Sequence, residues 1–173
     1  MRKKQLEFKG LQRPGDEFGG ELLKGNPKGK RPIDSKFATF LTLRAKKSVL
    51  LLPKNFAKIE KAITDTANKY GVKVYKKANV GNHLHTLIKL PHRNTWASFI
   101  RELTGKIGLI CKLEGGLWKF RPHTRIVRGW KKAFKIVLDY IYLNQLEAQG
   151  KISRKQTRNL ADLNRLISAG TGV

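Results

Sequence analysis

Two histidines stand one residue apart in the apolar run "NHLHTLIKL", His83 and His85 with Leu84 between them. On a β-strand, side chains at i and i+2 leave the same face, so the two imidazoles would stand side by side. Both protonated, they would repel; both neutral, they could share a divalent cation. The commoner fate of His-x-His is two half-buried strand histidines with ordinary hydrogen-bond partners, so the pair decides nothing alone. A second group lies later in the chain, in "YIYLNQLEA". At helical spacing Phe134, Val137, Leu138 and Ile141 cluster on one face, and Tyr140 and Asn144 fall one turn apart on its flank. A phenol nucleophile, an amide oxygen and two imidazoles around a metal would make a phosphoryl-transfer set. Taken singly, Tyr140 reads as an aromatic at the margin of a core. Tyr142, on the opposite flank beside Leu146, reads as packing or as a further nucleic-acid contact.

Such groups need elements to position them. "FATFLTLRA" from Phe37 is a strand buried on both faces or nearly so, with "SVLLL" expected to continue it after a turn. Pro53 opens a helix with Phe56, Ile59, Ile63, Ala67 and Tyr70 at helical spacing and Gly71 as its stop. "VKVYKKANV" and "HLHTLIKL" are strands, joined by Gly81-Asn82 into a hairpin. A second helix, capped by Asn94 or Thr95, carries Trp96, Phe99, Ile100, Leu103, Ile107 and Ile110, is interrupted at Gly105 and Gly108, and ends at Gly115-Gly116. "LWKFRPHTRIVRGW" has the look of a bent surface strand or hairpin, "WKKAFKIVLDYIYLNQLEAQG" is a third helix, and "SRKQTRNLADLNRLIS" a fourth capped by Ser153. This order predicts an α+β fold, a split βαβ antiparallel sheet with helices on one face and a C-terminal tyrosine-bearing helix. The domain reading is a basic, flexible N-terminal arm over 1–36, either a disordered tail or a strap that orders on phosphates, then a core domain over 37–150 and a helical extension over 151–173.

Charge points to the partner. Thirty-seven Lys and Arg against twelve Asp and Glu give +25, an excess that calls for a polyanion, nucleic acid first. Between Trp118 and Lys135 stand Lys119, Arg121, Arg125, Arg128, Lys131, Lys132 and Lys135 without an acid, interleaved with Trp118, Phe120 and Trp130. Cations for phosphates and rings for unpaired bases make a single-strand platform, although a solvated face over core aromatics would give the same pattern. Arg44, Lys46 and Lys47 would extend the track, and His92 and His123 are surface or DNA-contacting residues. No run reaches the ~20 apolar residues of a membrane span, and the basic start lacks a signal-type apolar segment, so a soluble cytoplasmic protein is expected. Cys111, the single cysteine, excludes an internal disulfide or thiolate zinc cluster and reads as a buried small hydrophobe.

"NHLHTLIKL", "WKFRPHTRIVRGWKKAF" and "YIYLNQLEA", in that order, resemble the HUH single-tyrosine transposases of insertion-sequence type, which include the REP-associated tyrosine transposases. The likeness runs from about Phe37 to Gly150. It implies a ferredoxin-like fold that acts on single-stranded or hairpin DNA. By position, His83 and His85 would hold Mg²⁺ or Mn²⁺, Tyr140 would form a 5′-phosphotyrosine bond, and Asn144 would be a third ligand or a polar positioner. No high-energy cofactor is implied. Gln145 departs from the proline of many relatives, and Asn144 from the longer glutamine of insertion-sequence members. A homodimer is allowed, with Tyr140 serving its own or its partner's site. A non-cutting hairpin-binding protein of the same fold and an RNA-binding protein of ribosomal type are the alternatives.

Overall fold

The computed structural model describes residues 15–23, 29–129 and 131–153. Five strands form one antiparallel sheet: β1 (Glu17–Phe18), β2 (Ala38–Arg44), β3 (Lys73–Asn79), β4 (His83–Lys89) and β5 (His123–Val127), in the order β1-β5-β2-β4-β3. Three helices accompany it: α1 (Pro53–Lys69), α2 (Thr95–Cys111) and α3 (Lys132–Ala148). The α+β architecture of the sequence reading is present. No helix among the described residues is long and apolar enough to cross a membrane.

Strand alternation sorts the core into two layers. Leu41, Leu43, Leu84 and Ile88 face α1 and α2 and pack with Ile59, Ile63, Phe99, Leu103 and Ile107. Ala38, Phe40, Ala78, Leu87 and Val127 face the other way and pack with Ala133, Val137 and Ile141 of α3. The tyrosine-bearing helix therefore covers the sheet face opposite the other two. The β3–β4 hairpin turns through Gly81, whose φ of 88° and whose absent Cβ, which would lie 2.5 Å from Ser48 Oγ, both require glycine.

Several expectations change. "SVLLL" is turn rather than strand, because Asn79 Nδ2 donates to the Leu50 carbonyl at 2.8 Å and holds the segment against the sheet end. Phe56 stands 42% exposed, while Asn55 is buried and donates to the Val49 carbonyl at 2.9 Å. Gly105 and Gly108 do not interrupt α2, which runs unbroken to Cys111 and stops at Lys112 in a left-handed conformation of φ 43°. Cys111 is only partly buried. β5 is an interior strand between β2 and β1, not a surface hairpin, and buries Thr124, Ile126 and Val127.

The largest difference is in the arm. β1 pairs with β5, Glu17 opposite Arg125 and Phe18 opposite Thr124. Arg31 donates to Thr124 Oγ1 at 2.7 Å and lies 4.5 Å over the Phe18 ring and 5.0 Å over Trp96. Gly19 permits the close pass, since a Cβ there would meet the Pro122 carbonyl oxygen at 2.0 Å. Thus the described parts of 15–36 lie on the body of the protein. The predicted fourth helix lies outside the described residues beyond Ser153.

One acid ties α1 to α2. Glu102 accepts from Lys69 at 2.7 Å, Tyr70 at 2.8 Å and Lys106 at 2.8 Å. The hydrogen bonds from Lys106, Lys69 and Tyr70 hold its carboxyl well down, at about 2. Its folded value is below its unfolded one, so its stabilisation is complete above the ordinary 4.5 and is lost as pH falls towards 2. Thermal unfolding of wild type and Glu102→Gln should therefore differ at neutral pH and converge through that acid window.

Candidate metal and nucleophile site

The register of the sheet assembles the polar groups. Thr42 of β2 lies opposite both His85 of β4 and His123 of β5, and Arg44 lies opposite His83. Phe40, two residues before Thr42, shares its face. His85 is 1% exposed, stacked on the Phe40 ring with centroids 5.5 Å apart and planes at 11°. Its Nδ1 is 3.1 Å from Thr42 Oγ1. The His83 and His85 rings are 5.0 Å apart at 77°, side by side as the strand spacing requires.

α3 delivers the phenol to this place. Tyr140 lies edge-on to His85 at 5.5 Å and to Phe40 at 5.9 Å. Asn144, one turn on, is buried, and its Nδ2 donates to the Tyr140 carbonyl at 2.7 Å. That bond commits the amide nitrogen to the backbone and leaves Oδ1 as the ligand-type atom.

His83 Nδ1 is buried with no hydrogen-bond partner among the described residues. Burial, then the Arg44 charge, pushes the His83 pKa down, so the neutral imidazole that a cation requires is the favoured form. Among the described residues no three His, Cys, Asp or Glu side chains gather as a metal cluster. Two imidazoles on a rigid strand, one with an orphaned buried nitrogen, nevertheless fit a divalent ion whose other ligands are amide and phosphoryl oxygens.

The cationic track is only partly open. Arg44, Lys46, Lys47, Lys119, Arg121, Lys131, Lys132 and Lys135 are exposed. Lys46 Nζ donates to the Gly115 carbonyl, and Lys119 Nζ lies 5.3 Å over the Phe120 ring. Arg125 is different: its side chain is 12% exposed and ion-paired with Glu17. Arg128 Nε bonds Asp16 at 2.9 and 3.0 Å, and its Nη1 lies 3.5 Å from Asp34. The two cations expected to meet DNA are thus satisfied by acids of the arm. Trp118, expected as a stacking platform, donates its indole N–H to the Thr104 carbonyl at 3.1 Å and packs on the core under α2. Trp130 lies outside the described residues.

Sequence reasoning missed Thr42, Phe40 and His123 as neighbours of the site. Only their period-2 phase hinted at a shared face, and register is invisible before strands are paired. His123 is pushed towards its neutral form by burial, then by Arg31.

The sequence matches no protein-family model and no curated protein. Among solved structures, a REP-associated tyrosine transposase bound to a REP hairpin superposes with a TM-score of 0.61 at 19% identity, over 73% of this chain and 76% of that one. The chain has the fold of a REP-associated tyrosine transposase. A Deinococcus radiodurans protein provisionally assigned as a transposase gives a TM-score of 0.44 at 13% identity, over 73% of this chain and 98% of that one, a likeness too slight to support a conclusion. In this transposase fold, the histidine strand is interior and the tyrosine helix lies across it.

Proposed function

We propose that the chain cleaves and rejoins single-stranded or hairpin DNA through a covalent bond to Tyr140. The observation that carries this reading is the Tyr140 ring at 5.5 Å from His85, itself paired with His83 on one strand face. Support for DNA as substrate comes from the hairpin bound to the structural neighbour and from the +25 charge.

In the reaction, the Tyr140 phenol gives up its proton and its oxygen attacks the scissile phosphorus. The P–O3′ bond breaks, and the leaving 3′-oxygen takes a proton to become a free hydroxyl. A 5′-phosphotyrosine remains, with the phosphodiester's energy retained in it, so attack by a free 3′-hydroxyl restores a DNA strand and the phenol. His83 and His85, with Asn144 Oδ1, are the residues that would hold Mg²⁺ or Mn²⁺, whose chemistry is to polarise a phosphoryl oxygen. Phe40 and Thr42 fix the His85 ring by stacking and by the 3.1 Å contact to Nδ1. The exposed cations Lys46, Lys47, Lys119, Arg121, Lys131 and Lys132 take the phosphates that flank the site, and Arg44, beside His83, lies nearest the reacting strand. The core domain over 37–150 carries the chemistry, and β1, from the described part of the arm, completes its sheet.

Incubation with labelled single-stranded and hairpin DNA plus Mn²⁺ tests the reading, a denaturation-resistant protein–DNA adduct being the expected product. Tight hairpin binding with no adduct across such substrates would turn the conclusion to a hairpin-binding protein that does not cut. Preference for structured RNA over DNA would overturn both.

A further inference from the structure

Beside the histidine pair the sheet is not covered by α3. There the arm's 3-10 turn (Gly20–Leu23) and the segment before β5 enclose a pocket of about 250 Å³ floored by Thr42, Arg44 and His123. Thr42 belongs to both places, since its hydroxyl meets His85 Nδ1. We infer that this pocket takes one unpaired nucleobase next to the scissile phosphate and favours guanine, with Glu21 reading the base edge. The inference rests on the proposed use of this face for DNA.

Glu17 and Glu21 are what single the pocket out. A carboxylate repels phosphate, so on a face that receives a polyanion its complement is a base edge bearing N–H donors. Glu17 is committed to Arg125. Glu21 is not comparably committed: its side chain is 65% exposed and its ion pair with Arg44, at 3.2 Å, joins two solvated groups. Such a pair is weak and exchanges readily for a ligand that satisfies both partners. Guanine does so, presenting N1–H and N2–H₂ to a carboxylate and O6 and N7 to an arginine fork. Thymine would set carbonyl oxygens against the acid. Phe120 supplies an aromatic wall for the base to stack on. His123 Nδ1, buried and without a hydrogen-bond partner among the described residues, is a further polar atom at the floor. The wall is built to close tolerance, because Gly20 N–H donates to the Arg121 carbonyl at 3.0 Å and a Cβ on Gly20 would lie 3.2 Å from the His123 Cβ.

A random single-stranded DNA library, selected for retention on wild-type protein and on Glu21→Ala and then sequenced, tests this by binding alone. Wild type should return one position dominated by guanine, and inosine at that position, which lacks the N2 amino group, should weaken binding about tenfold. On Glu21→Ala, guanine and inosine should bind alike while preferences at other positions persist. A library with no guanine position, or a guanine–inosine difference unchanged by Glu21→Ala, overturns the inference. A guanine position found with a protein that forms no Tyr140 adduct would instead overturn the cleavage reading and leave the pocket standing.

Discussion

With phenylalanine at position 140, the protein should bind DNA with unchanged affinity and form no covalent adduct, a loss on the order of 10⁴-fold or more in strand cleavage. The substitution removes one hydroxyl and keeps the ring, so the edge contacts to His85 at 5.5 Å and Phe40 at 5.9 Å survive. Thermal unfolding should accordingly shift little, and the lost adduct reports chemistry rather than folding. Tyr142 is the control. It is exposed on the other flank of α3, with Lys76 Nζ 5.0 Å over its ring, and Tyr142→Phe should leave the adduct intact. An adduct that survives Tyr140→Phe would place the nucleophile elsewhere.

The second large effect is at the histidines, where two consequences must be separated. His85→Ala empties a site that is 1% exposed and stacked on Phe40, so it should cost about 2–4 kcal/mol of stability as well as metal affinity. His83 lies at the more open start of β4, and His83→Ala should spare most of that stability. Both variants should bind Mn²⁺ at least about tenfold more weakly by isothermal titration, and both should lose metal-stimulated cleavage by about 100-fold or more. If His83→Ala binds Mn²⁺ like wild type, the histidine pair is a packing feature and the metal reading fails.

These two predictions concern residues that the sequence singled out, and the reason is local periodicity. His83 and His85 share a face because strand side chains alternate, and Tyr140 and Asn144 share a flank because helices repeat every 3.6 residues. Ile59, Ile63 and Ala67 were readable as the core face of α1 for the same reason, whereas Phe56 was not. Its place at the first turn, beside a buried Asn55 bonded to the Val49 carbonyl, follows from how the helix start docks. What stayed hidden depended on distant partners. Arg125 and Arg128 lie in a stretch without acids, and their counter-ions Glu17 and Asp16 stand 108 and 112 residues earlier. The same distance concealed β5: its His123 and Arg125 read as surface until the arm supplies a neighbour on one side and β2 on the other. Thr42 joined the site only once register set it opposite His85.

The pairing of β1 with β5 also fixes a schedule for biosynthesis. Glu17 and Phe18 are translated more than a hundred residues ahead of their partners Arg125 and Thr124. β2, β3 and β4, with α1 between them, are complete well before that, so the histidine strand has its neighbours while the arm still waits for its own. Closing the long loop between β1 and β5 is a late, entropically costly step. The histidine strand thus has both its sheet neighbours, β2 and β3, in the nascent chain before the pocket beside it can close, because the Phe120–Arg121 wall follows them in sequence and the arm's turn has nothing to dock on until then.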